Sequence, residues 1–187
     1  MRNKAPHIKT VPNLPRIIES VVFVVSESDR LGKTASQYDI VKTIFLADRR
    51  HLNEYGRPIT FDRYVAMKHG PVPSTLYDLL KEDPASRDLP WRKTQVNDKI
   101  YQFSDASRAA DLDILSESDI EALAESFVTV KSLGFSQIRK LTHEDAAYID
   151  AWEDEGGKKS YDMSYAMLFD VPNVEKAADI GHISECL

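Results

Sequence analysis

"HGPVPSTLYDLL", His69 to Leu80, crowds one glycine and two prolines ahead of an apolar, helix-like run. Pro71 biases Gly70 away from the α conformation, and Pro73 does the same to Val72, so the chain is held extended before the helix. Gly70 permits backbone angles or a close approach that a side chain would forbid. Pro73 or Ser74 then opens a short helix to Lys81, with Leu76, Leu79 and Leu80 packing inward. The stretch reads as a rigid corner that presents Lys68 and His69 at a fixed angle.

Upstream of the corner lies a well-marked helix. Ser36 with Asp39 three residues on forms a reciprocal capping pattern. Ile40, Val41, Ile44, Phe45, Leu52 and Tyr55 recur at helical spacing, and Gly56 supplies the left-handed residue that ends many helices. "RPITFDRYVAMK" is an extended connection from this helix to the corner. Before it, "RIIESVVFVVSESD" shows a wide apolar face and follows Pro15, which suits a first helical turn. Its β-branched residues also permit a strand, but its length and polar ends favour a helix.

Downstream, "PWRKTQVNDKIYQFS" (90–104) places two aromatic and β-branched runs around Asn97-Asp98, the pattern of a β-hairpin. "SESD" (116–119) repeats the capping signature, and a helix runs from Ile120 to Leu133, ended by Gly134. A further helix pair with a bend near Thr142, a charged loop "EDEGGKKS" and a short helix in "YDMSYAMLF" complete the pattern. The fold class expected is α+β: a mainly α-helical single domain with a small antiparallel β-hairpin. Residues 1–13 read as a flexible arm, 14–170 as the domain, and 171–187 as a tail.

Composition narrows the functions. The chain has 187 residues and a net charge of −6, which argues against bulk nucleic-acid coating. Its one cysteine, Cys186, excludes an intrachain disulfide and fits a reducing, cytoplasmic setting. The N-terminal stretch lacks the apolar core of a secretory signal, and "VVFVV" is too short to span a bilayer, so no membrane role is expected. His7, His51, His69, His143 and His182 show no HxH or HxxxH spacing, so neither metal nor cofactor is expected. "GGKKS" lacks the spacing of a phosphate-binding loop, and no G-x-S-x-G elbow occurs.

Asp48 and His51, three residues apart on one helical face, are the one pair with acid–base potential. The plainer and preferred reading is a hydrogen-bonded pair anchoring the following loop. Charge is uneven: between Lys42 and Lys68 six basic residues face three acids, whereas Asp111–Glu125 holds six acids and no base. Such asymmetry can steer a protein partner. The basic 42–68 segment leaves a DNA-binding regulator as an alternative, and Asp48 with His51 leaves a hydrolase as a third. Arg50, Tyr55, Tyr64 and Tyr77 are of the residue types favoured as interface anchors, although tyrosines at such positions are more often core.

The block Lys42–Leu80, "KTIFLADRRHLNEYGRPITFDRYVAMKHGPVPSTLYDLL", closely resembles the Panacea domain family of SocA-like antitoxins from bacterial and phage toxin–antitoxin systems. The resemblance rests on a "LADR-x-HL" helix, a "YG-x-P-I" turn, an "AM-x-x-GPV-P" corner and an "LY" helix, in order. It continues weakly into "KLTHEDAAYIDAW", covering about Val21 to Trp152. It implies a non-enzymatic protein that holds a cognate protein toxin, encoded by a neighbouring gene, in a direct complex. One relative instead delivers its toxin to an AAA+ protease, so such a protease is a possible further partner. Some members add a DNA-binding domain, for which this chain has no room. Partner-binding candidates are Asp48, Arg49, Arg50, His51, Tyr64, Lys68, His69, Pro71 and Tyr77.

Overall fold

The computed structural model describes residues 4–98, 100–153 and 157–187. Helix α1 (Leu14–Arg30) begins at Asn13, whose side chain accepts from the Arg16 N–H, with Pro15 in its first turn. The β-branched run is therefore helical, and Ile17, Val21, Val22, Val24 and Val25 are fully buried. Strand β1 (Ala35–Ser36) leads into α2 (Gln37–Tyr55), which carries the expected Ser36–Asp39 capping box and ends at Gly56 with φ of 77°.

The connection after α2 is more structured than expected. Strands β2 (Tyr64–Met67) and β3 (Gly70–Pro73) form a hairpin closed at Met67–Gly70. Its two prolines are tolerated because β3 lies at the edge of the sheet, in the order β3-β2-β6. Strand β6 (Ser160–Asp162) and a 3₁₀ turn at Tyr165–Met167 stand where the sequence suggested a short helix. Ser160 to Asp162 pairs with Val65–Met67, and a strand there satisfies the second edge of β2.

Helix α3 (Ser74–Leu79) has no cap of its own, since its N-cap is Pro73. Asp62 supplies one from a distance: its carboxylate accepts from Thr75 N (2.9 Å) and Leu76 N (2.8 Å). The preceding residue, Phe61, is fully buried at φ of 55°, a conformation that costs a non-glycine residue energy. Strands β4 (Arg92–Asn97) and β5 (Ile100–Ser104) make the expected hairpin, and β1 joins β5. Asn97 pairs with Ile100, so Asn97 belongs to the strand rather than to the turn.

Helix α4 (Glu117–His143) opens with the Ser116–Asp119 capping box. Gly134 (φ 69°, ψ 178°) breaks it as expected, but helix resumes at once, and α5 (Ala146–Ala151) follows a bend after His143. One core gathers α1, α2, α3, the β1-β5-β4 sheet and the first half of α4. A second forms under β2, α5 and the C-terminal segment, where α6 (Val174–Cys186) buries Ala177 and Ile180. Val11 N donates to Ser184 Oγ (2.9 Å) and Pro6 O accepts from Ser164 Oγ (2.5 Å), which lays residues 6–11 along this second core. The fold is thus α+β, mainly helical, with two three-stranded antiparallel sheets. Among the described residues no helix is long and apolar enough to cross a membrane. Three residues of the expected arm, 1–3, and residues 154–156 of the expected charged loop lie outside the described residues.

Candidate functional site

A cleft of about 1290 Å³ opens where the β2–β3 turn meets the start of α2, the second half of α4 and α5. Its position follows from the corner. Gly70 adopts φ of 100°, and a Cβ there would stand 2.7 Å from both Lys42 Nζ and Thr142 Oγ1. Glycine is therefore required twice, by backbone angle and by space. The Lys42 ammonium donates to the Pro71 carbonyl (2.7 Å), tying the corner to α2. Tyr148 Oη donates to Met67 O (3.0 Å), tying the other strand to α5.

Lys42 lies at the floor of the cleft, 1% exposed. Burial alone draws its ammonium down from 10.5 to about 7. Its Nζ stands 5.5 Å from the centre of the Tyr38 ring, and no described residue places a carboxylate within ion-pair distance. The walls are aromatic. Tyr38 packs on Phe135 (4.7 Å between ring centres), and Phe135 approaches His69 (6.0 Å). Opposite, His143, Tyr148 and Trp152 form a continuous row with ring centres 4.4 and 5.8 Å apart, and buried Tyr161 backs Trp152 at 5.7 Å. Phe135, Ile149 and Ile100 at the rim are each about half exposed. Lys68, Arg139, Lys158 and Lys159 also line the cleft, with Glu153 the one acid among the described lining residues.

The sequence-derived candidates divide into two groups. Lys68 and His69 form the exposed hairpin turn, and half-buried Tyr77 faces the same cleft, while Pro71 acts through its carbonyl. Asp48, His51 and Tyr64 point inward. Asp48 accepts from Ile59 N (2.8 Å), Thr60 N (3.0 Å), and the Thr60 and Tyr64 hydroxyls. Burial pushes its carboxyl up to about 6, against the lowering effect of these four donors. Asp48 and His51 do not meet as a pair. His51 Nδ1 donates to Arg57 O (2.7 Å), since a carbonyl only accepts, and its Nε2 faces Ser118 Oγ (3.0 Å) and Asp119 Oδ1 (3.2 Å). Each anchors the 57–60 loop separately.

Asp119 ties that loop to α1 and α4 through Arg16 Nη1 (2.8 Å) and Arg57 Nη1 (3.0 Å). Burial would raise its carboxyl, but the hydrogen bonds from Arg57, Ser116 and Arg16 hold it below the ordinary value. Arg49 pairs with Asp145 (2.6 Å) and Asp170 (3.1 Å), and Arg50 with Glu54 (2.9 Å) and Glu125. Four of the six basic residues of 42–68, Lys42, Arg49, Arg50 and Arg57, are thus engaged within the protein. Lys42, Tyr38, Phe135 and Arg139 were not singled out as site residues. Only the Thr-His and Trp of "KLTHEDAAYIDAW" hinted at this wall, because the sequence gives no sign that α4 folds back over the corner.

These features define a small α+β domain with a cationic, aromatic-walled cleft beside an internally braced hairpin. A family model described as "Antitoxin SocA-like, Panacea domain" matches residues 40–149, more than half of the chain, and the protein belongs to that family. No curated protein and no solved structure matches it.

Proposed function

We propose that the protein is an antitoxin that neutralises a cognate protein toxin by stoichiometric complex formation, with the cleft as the docking surface. The carrying observation is that the family match over 40–149 takes in Val41 and Lys42 of α2, the corner, and Phe135, Arg139, His143, Tyr148 and Ile149 of the α4–α5 wall. Lys68, His69 and Tyr77 touch the toxin, while Asp48, Tyr64 and the Lys42–Pro71 contact hold the corner in place. Aromatic side chains half exposed beside charged ones are the residue types that anchor protein interfaces. The test is co-expression with each product of the adjacent genes. Growth rescue, with an equimolar complex on co-purification and unchanged toxin abundance, is the expected result. Rescue accompanied by toxin loss would point instead to delivery to a protease. No rescue and no complex with any neighbour would overturn the proposal.

A further inference from the structure

Lys42 poses a question that the fold does not answer. A buried charge is tolerated when it is paired, and otherwise costs enough that the group tends to give up its charge. Lys42 has one hydrogen-bond acceptor, the Pro71 carbonyl, and an ammonium carries three donors. Val41, Val72 and Met67 line the cleft beside it, and among the described lining residues the charged groups are Lys68, Arg139, Lys158, Lys159 and Glu153. Lys68 and His69 line the cleft from the hairpin turn, and Arg139 and the His143 ring line it from α4. The His69 imidazole is held below its ordinary value by burial and by the nearby Arg139, Lys68 and Lys42. Tyr38 from α2 and Tyr148 from α5 add rings, and Glu153 after α5 is the one acid among the described lining residues. In a chain of net charge −6, the gathering of Lys68, Arg139, Lys158 and Lys159 with the Lys42 ammonium is, among the described residues, a local reversal.

We infer that the cleft receives an acidic side chain of the partner, an Asp or Glu on an extended segment, seated against the Lys42 ammonium while its apolar or aromatic neighbours pack on Phe135 and Ile149. This rests on the docking surface proposed above. Two features favour a peptide carboxylate over a nucleotide phosphate. The volume exceeds the roughly 300–1,000 Å³ of small-ligand pockets. The half-exposed apolar rim requires a partner with side chains of its own.

The inference carries a proton signature. With the free ammonium at about 7, a seated carboxylate raises that value, so binding takes up a proton in mildly alkaline solution. Affinity is then full below about pH 7 and weakens by up to about tenfold per pH unit above it. Burial pulls the His69 imidazole below its ordinary value, so the background from neighbouring groups is removed by comparison with Lys42→Met.

The experiment uses a random-peptide phage library selected on the full chain, followed by calorimetry of the enriched peptides in two buffers of different ionisation enthalpy. Enriched peptides are expected to carry an Asp or Glu next to apolar residues, to take up protons on binding to the unaltered protein, and to lose at least tenfold in affinity for Lys42→Met. Arg139→Ser, at an exposed position, is expected to weaken them without affecting the fold. Peptides without acidic residues, binding without proton uptake, or displacement by ATP in place of acidic peptides would each overturn the inference. The co-purified toxin separates the two proposals. A toxin bound equally by Lys42→Met overturns the acidic anchor and leaves the antitoxin reading standing. Acidic peptides bound through Lys42, with no toxin among the neighbouring genes, overturn the antitoxin reading alone.

Discussion

Helix α2 carries two buried charges less than two turns apart, Lys42 and Asp48, each 1% exposed. Asp48 is surrounded by donors: two backbone N–H groups and two hydroxyls converge on it. Lys42 has a single carbonyl and an open cleft. Both bind the segment after α2, one through the 59–60 loop and the other through the Pro71 corner. The difference lies in what remains unsatisfied. A saturated carboxylate is a structural rivet, whereas an ammonium with donors to spare is a rivet whose outer end can still bind.

The contrast can be broken by substitution. Asp48→Ala leaves buried donors on Ile59, Thr60 and Tyr64 without an acceptor and is expected to cost roughly 4 kcal/mol. Lys42→Met removes a buried charge along with its desolvation cost, and at about pH 7 is expected to change stability by no more than about 1 kcal/mol. Chemical denaturation of both variants reads this directly; equal losses would erase the distinction. Gly70→Ala sits between them in expected effect, at about 3 kcal/mol, from the strained backbone angle and the collision with Lys42 and Thr142. Failure of that variant to lose stability would mean that the corner is not tied down as described.

The pH dependence sharpens the same contrast, and the two groups have opposite signs. Lys42 is depressed from 10.5 in the unfolded chain to about 7, so its contribution to stability is present above 10.5 and is lost as pH falls through 7. The stability of the protein relative to Lys42→Met should therefore rise between about pH 7 and 10.5, by no more than about 1.4 kcal/mol per pH unit. Asp48 is raised from 3.8 to about 6, so its contribution is present below 3.8 and lost as pH rises through 6. Denaturation midpoints across both windows check the signs. The smallest stability effect is expected at the rim. Phe135→Ala, at a half-exposed position, should alter stability by about 0.5 kcal/mol or less while weakening the toxin complex by about tenfold or more.

Much of the scaffold was legible because its signals are local. Both capping boxes, the Gly56 terminus and the β4–β5 hairpin are written in residues a few positions apart. The β2–β3 hairpin was hidden by its own prolines, which argue against a strand unless it lies at an edge. Helix α3 likewise lacks a local cap, because Asp62 reaches it from another segment. The Asp48–His51 spacing was read correctly as one helical face, but each side chain found a different long-range partner. For the cleft, the sequence exposed one side only. Lys68, His69 and Tyr77 stood in the motif block, whereas Phe135 and Arg139 enter the site only because α4, broken at Gly134, crosses the corner.

The two prolines of β3 carry a last consequence. A sheet edge ordinarily offers a row of N–H donors and carbonyl acceptors on which a partner's strand can be laid. Here Pro71 and Pro73 have no N–H to give, and the Pro71 carbonyl is already held by Lys42. A visiting chain cannot extend the sheet along this edge. Whatever binds at the corner is selected through its side chains, so the same rigid cleft can distinguish partners by sequence without being captured by every exposed strand it meets.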